Sequence, residues 1–157
     1  MLDNKILPSR KFDFSMDLPP AEIRGNHRSH YRTFRKYYTS YQELGLATIG
    51  NVLIHRNKKR PLLKLPFKKA IIVYTFYNNM LIDLDNFVYG MKSILDALVH
   101  KDVLEDDNAL SVNPLSRYRK CVKAERKVDV SIIDTSQYES ISISGETSGD
   151  ADFLLTL

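Results

Sequence analysis

Cysteine is almost absent from this chain of 157 residues: Cys121 stands alone. A single thiol makes neither an intrachain disulfide nor a cysteine-rich zinc site, so a reducing compartment is expected. Long apolar runs are missing too. No stretch approaches the roughly 20 residues of a membrane-spanning helix. The opening MLDNKILPSRKF has no apolar core of signal-peptide length. These absences predict a cytoplasmic protein with no membrane partner. No internal repeat is present.

Basic residues are missing from one end only. Residues 136–157 hold Glu139, Glu146, Asp150 and Asp152 and neither Lys nor Arg. All 23 Lys and Arg therefore lie in residues 1–135, against 15 of the 19 acids, a balance of +8. A body that basic, enclosing a few clustered acids, suggests a polyanionic partner. The length suits one domain that buries about 70% of its unfolded surface. The predicted division is a loose lead-in at 1–10, a globular domain at 11–135 and an acidic, Ser/Gly-rich tail at 136–157, mostly disordered.

Along the chain, Phe12, Phe14, Met16 and Leu18 alternate with polar residues, the period of a half-buried strand, and Pro19-Pro20 ends it. The loop that follows is rich in groups that hold phosphate: Arg24, Asn26, His27, Arg28, His30 and Arg32. His27 and His30 read as surface residues of a basic loop rather than metal ligands. From about Arg32 to Ile54 the pattern is helical, with Tyr31, Phe34, Tyr38, Tyr41 and Leu44 at steps of three and four. Phe34, Tyr38 and Tyr41 are expected in the core, and Arg32, Arg35 and Lys36 as phosphate contacts. Residues 56–69 carry seven Lys or Arg, among them Lys58, Lys59 and Arg60, and lead into an apolar run at 70–77 that reads as a buried strand. Strands are also expected around Asn113-Pro114, near the basic Arg117, Arg119 and Lys120, and at about 127–133.

The chemistry concentrates in residues 82–110. Asp83 and Asp85 open the segment, a helix with Phe87 or Val88, then Met91, Ile94 and Leu95, Leu98 and Val99 at helical spacing follows, and Glu105, Asp106 and Asp107 close it. In an extended segment, carboxylates two apart share a side. Two unit charges about 4 Å apart repel by roughly 4 kcal/mol at an effective dielectric near 20, so such a cluster needs protons, a base or a cation. Carboxylate oxygens with water are the ligands magnesium prefers, and that ion activates water for attack on a phosphodiester. The plainer reading makes these separate surface acids, with Asp85 or Asn86 capping a helix. Lys92 and Asp96 fit an i,i+4 ion pair, or Lys92 stabilises charge on a scissile phosphate.

Asp83-Leu84-Asp85-Asn86, then Lys92-Ser93-Ile94-Leu95-Asp96-Ala97-Leu98, then Asp106-Asp107, resembles the RusA family of Holliday junction resolvases. Leu18-Pro19-Pro20 with Asn26 resembles that family's opening strand and loop, and the likeness covers roughly residues 12–134. It implies a small mixed β-sheet packed with two main helices, in the α+β class. It further implies a magnesium-dependent homodimer, common in phages and prophages, that nicks a four-way DNA junction symmetrically. Asp83, Asp85 and Asp107 would be the catalytic and metal-binding acids and Lys92 the family lysine. Two departures stand out: Lys92 lies three residues further from the acidic pair than in the best-known member, and Ile82 replaces the usual basic residue. A haloacid-dehalogenase-like phosphatase also places DxD after a buried strand, but Asn86 and Phe87 depart from its usual continuation. A non-catalytic nucleic-acid-binding module explains the basic body and leaves the acids unexplained.

Overall fold

The computed structural model describes residues 10–57, 64–136, 140–145 and 151–156. In chain order its elements are β1 (Lys11–Met16), α1 (Tyr31–Asn57), β2 (Ala70–Asn78), α2 (Leu84–Gly90), α3 (Lys92–His100), β3 (Val112–Lys120), β4 (Lys127–Asp134), β5 (Ser140–Gly145) and β6 (Ala151–Thr156). The first four strands to pair form one mixed sheet in the order β1-β4-β2-β3. β4 lies antiparallel to both β1 and β2, while β3 lies parallel to β2. Parallel neighbours need a crossover, and α2 and α3 supply it. The α+β class expected from the sequence is therefore the one observed.

The apolar run at 70–77 becomes interior strand β2, buried along nearly all its length. Alternation fixes one face of the sheet. Phe12, Phe14 and Met16 of β1 stand opposite Ile132, Val130 and Val128 of β4, and those stand opposite Ile72, Tyr74 and Phe76 of β2. All nine are buried, and they share a core with Ile49, Phe87, Met91, Ile94 and Leu98 from the helices. Each such side chain contributes about 1.5–3 kcal/mol when removed from water. A one-residue slip in register would turn every one of them outward.

Helix α1 is longer than its pattern suggested, and its buried stripe runs differently. Tyr41 and Ile49 are buried and Phe34 and Tyr38 pack against the core, whereas Tyr31 and Leu44, the ends of the expected stripe, are exposed. Gly45 explains the shift. A Cβ there would lie 2.7 Å from Cδ1 of Ile94, so α1 approaches α3 at a point where a side chain does not fit.

The single helix expected after Asp85 is two helices. They join at Met91, whose ψ of −4° departs from helical values. Gly90, just before the break, lies against Pro19, and a Cβ on it would come within 2.7 Å of the proline ring. Met91 itself is buried, its sulfur 3.7 Å from the Tyr41 hydroxyl. Packing against Pro19 and Tyr41 thus outweighs the continuous periodicity. Within the acidic tail, β5 and β6 pair antiparallel from Ser140↔Thr156 to Gly145↔Ala151. The Ser-Ile-Ser-Ile-Ser alternation at 140–144 has the period of a strand, and composition masked it. Among the described residues, no helix is long and apolar enough to cross a membrane.

Candidate active site

The link from β2 to the acidic pair is held by side chains. Asn78 donates from Nδ2 to the Met80 carbonyl at 3.1 Å, and the Tyr118 hydroxyl reaches the same oxygen at 3.3 Å. Asp83 then takes the N-cap position of α2 in extended conformation, and Asp85 falls in the first helical turn. The two are therefore not on one extended segment, as their spacing suggested. The N-cap is thus Asp83, where the plainer reading had Asp85 or Asn86, and its side chain makes no capping hydrogen bond. Both carboxylates are exposed, and neither has an ion-pair or hydrogen-bond partner among the described residues.

The basic loop after β1 meets this segment. Ile23, buried, anchors a short 3-10 turn after Pro20, and Arg24 follows it. Arg24 donates from Nε to the Pro19 carbonyl at 2.8 Å and lies over the Phe87 ring at 4.2 Å. The Gly25 amide donates to the Asn86 carbonyl at 3.2 Å, tying the loop to α2. Between them lies a cleft of about 300 Å³ lined by Arg24, Asn26, His27, Asp83, Asn86 and Phe87, among others. Two sequence motifs some sixty positions apart thus line one concavity.

Asp107 arrives by a different route. Asp102, at φ 54°, ends α3 in the left-handed region that aspartate tolerates. The returning chain is then pinned to Phe67, whose amide donates to the Val103 carbonyl at 2.9 Å. Asp106 serves the turn: its Oδ1 accepts from the Asp107 amide at 2.7 Å and its Oδ2 from Nδ2 of Asn108 at 2.6 Å. The Asp107 carboxylate is paired with the Lys92 ammonium, which also meets Oδ1 of Asp96 at 3.0 Å. The other oxygen of Asp96 accepts a hydrogen bond from the Tyr38 hydroxyl. Lys92 pulls the Asp107 carboxyl below its ordinary value, and Asp107 in turn raises Lys92.

Lys92 makes the i,i+4 ion pair with Asp96 that its spacing fits, and it pairs with Asp107 as well. Asp107 lines a cleft with Gln42, Asp96 and His100. No three acids, histidines or cysteines among the described residues are grouped to hold a metal. Lys92 neutralises Asp107 locally.

The remaining candidates are spread out. Arg28 and Arg32 are exposed beside the cleft loop and at the start of α1, Arg117 and Arg119 are half-buried on β3, and Lys120 ends that strand exposed. Lys58, Lys59 and Arg60 lie outside the described residues. Sequence reading did not connect Tyr38 with Asp96, 58 residues apart, nor Arg126 with Arg24, and no spacing rule links pairs so distant. No protein-family model matches this chain, and no curated protein matches it.

Proposed function

We propose that this chain is a magnesium-dependent, structure-selective endonuclease that resolves four-way DNA junctions as a homodimer. One observation carries the reading. Two exposed carboxylates without a partner among the described residues, Asp83 and Asp85, open α2, and Asp83 shares a cleft with Arg24 and Asn26. Charges left free beside groups that hold phosphate make poor structural sense and good chemical sense.

Among the described residues no three acids, histidines or cysteines are grouped to hold a metal. Magnesium, however, is commonly held by one or two carboxylates, with water and a substrate phosphate completing the shell, and Asp83 and Asp85 are the two left free. When bound there, the ion would supply Lewis-acid stabilisation of the phosphodiester and a more acidic water. The protein's own part is positioning. Asn26 and Arg24 would take phosphate oxygens, and Phe87 with the Pro19 carbonyl would keep the guanidinium from swinging. Paired incision requires two such sites, hence two copies of the chain.

The test is incubation with a labelled four-way junction, a linear duplex and a flap, with magnesium and with chelator. Junction-selective cutting that needs magnesium is expected. Asp85→Asn should abolish cutting while keeping or tightening junction binding, because repulsion of phosphate falls. Junction binding without cutting under any condition would instead favour a binding module.

A further inference from the structure

Arg24 lines a second cleft, of about 360 Å³, and there its neighbours are Asp17, Pro19, Lys123 and Arg126. Three cations converge on it, against one carboxylate. They come from two loops that the sheet register brings side by side: β1 ends with Met16 opposite Val128 of β4, so the segment after β1 runs next to the segment before β4. The second segment is a 3-10 turn, Lys123–Glu125, closed by the Glu125 amide donating to the Val122 carbonyl at 3.0 Å.

Like charges gathered in a concavity repel, and proteins usually interleave acids to prevent it. Here the acids do not balance the cations: Asp17 alone lines the cleft, and at Arg24 the charge of Glu22 counts for less than that of Arg126. Neither Lys123 nor Arg126 has an ion pair among the described residues, although both are exposed and able to turn away. Arg24 cannot turn away, fixed as it is by Pro19 and Phe87. Its guanidinium is held below its ordinary value, first by burial and then by the charge of Arg126. Ordinary solvated surface lysine does not depend on a fixed, half-buried arginine at its centre.

We infer that the cleft formed by Arg24, Lys123 and Arg126 binds a phosphate group. On the nuclease reading, on which this use of it rests, the group is a backbone phosphate of the DNA strand. Arg24 lines both clefts, so a strand anchored at Lys123 and Arg126 is held next to Asp83. Anchoring of this kind fixes register without reading sequence.

The test uses the full chain with Lys123→Ala and Arg126→Ala combined, with folding checked by circular dichroism. Junction binding is measured by anisotropy over a salt series in chelator, so that nothing is cut. Each lost phosphate contact should lower the slope of log K against log salt by about 0.9, and the loss should be equal on DNA of any sequence. The exchanged pair Lys123→Arg with Arg126→Lys should restore the slope. A second arm titrates inorganic phosphate at constant ionic strength. A slope unchanged in the double alanine variant, with wild-type binding intact, overturns the inference and leaves the nuclease reading standing. If wild type binds no DNA but takes phosphate that the variant loses, the cleft stands and the nuclease reading falls. Binding of neither overturns both.

Discussion

Tyr38 of α1 and Asp96 of α3 are joined side chain to side chain, phenol donating to carboxylate. The bond crosses the helix pair that supports the acidic segment, and it takes the oxygen of Asp96 that Lys92 does not. Burial, then the bond to Asp96, pushes the Tyr38 phenol well above its ordinary range. Hydrogen bonds to charged groups are worth about 1.5–3 kcal/mol, and partial exposure reduces that. Tyr38→Phe should therefore destabilise the fold by about 1–2 kcal/mol in urea unfolding. A double-mutant cycle with Asp96→Asn should return a coupling near 1 kcal/mol; strict additivity would mean the bond contributes nothing.

The Lys92–Asp107 pair sets a pH window. Asp107 is lowered from 3.8 by its bond to Lys92, so its contribution is complete above that value and lost as pH falls through the lower folded value. Lys92 is raised from 10.5 by Asp107, so its contribution is complete below that value and lost as pH rises through the higher folded one. Both side chains are partly exposed, 53% and 27%, and solvent screening limits the pair to about 1 kcal/mol or less. Wild type minus Asp107→Asn should show a flat stability difference between these limits that shrinks at both ends. A difference that does not shrink at all as pH falls below 3.8 would assign the effect to something other than the pair.

Glycines on the helices give opposite expectations. A Cβ on Gly50 would meet only Lys101, at 3.6 Å or more, so Gly50→Ala should stabilise by up to about 1 kcal/mol through helix propensity. A Cβ on Gly90 would strike the rigid Pro19 ring, and overpacking of this kind costs about 1–3 kcal/mol. Because that contact also seats the Arg24 loop, Gly90→Ala should weaken junction binding as well. Thermal unfolding of the two variants decides, and equal signs would mean the Gly90 contact relaxes freely.

Much of this was legible because it is periodic. Phe12, Phe14 and Met16 announced β1 by alternation, and the run at 70–77 announced a buried strand by apolarity. The break at Met91 was not legible, because it depends on Pro19, seventy positions away, touching Gly90. The site divides the same way. Motif spacing pointed to Asp83, Asp85, Lys92 and Asp107 as a set, but beyond a single helix spacing says nothing about which charge neutralises which. The i,i+4 pair of Lys92 with Asp96 was legible, whereas Lys92 reaches Asp107 across a turn whose path is set by Asp102 and Phe67.

That division leads to a discriminating measurement on the nuclease reading. If Asp107 serves to hold Lys92, its carboxylate matters for charge balance and not for the metal. Asp107→Asn should then slow cutting severalfold while leaving the magnesium midpoint of junction cleavage where it is in wild type. Lys92→Met should act in the same direction, since each change breaks the same pair, and combining them should add little to either alone. If Asp107 instead leaves Lys92 to complete the metal's shell, removing its charge must weaken that shell. A tenfold rise in the magnesium midpoint, about 1.4 kcal/mol, would then assign Asp107 to the ion, with Lys92 as the group that withholds it until DNA is bound.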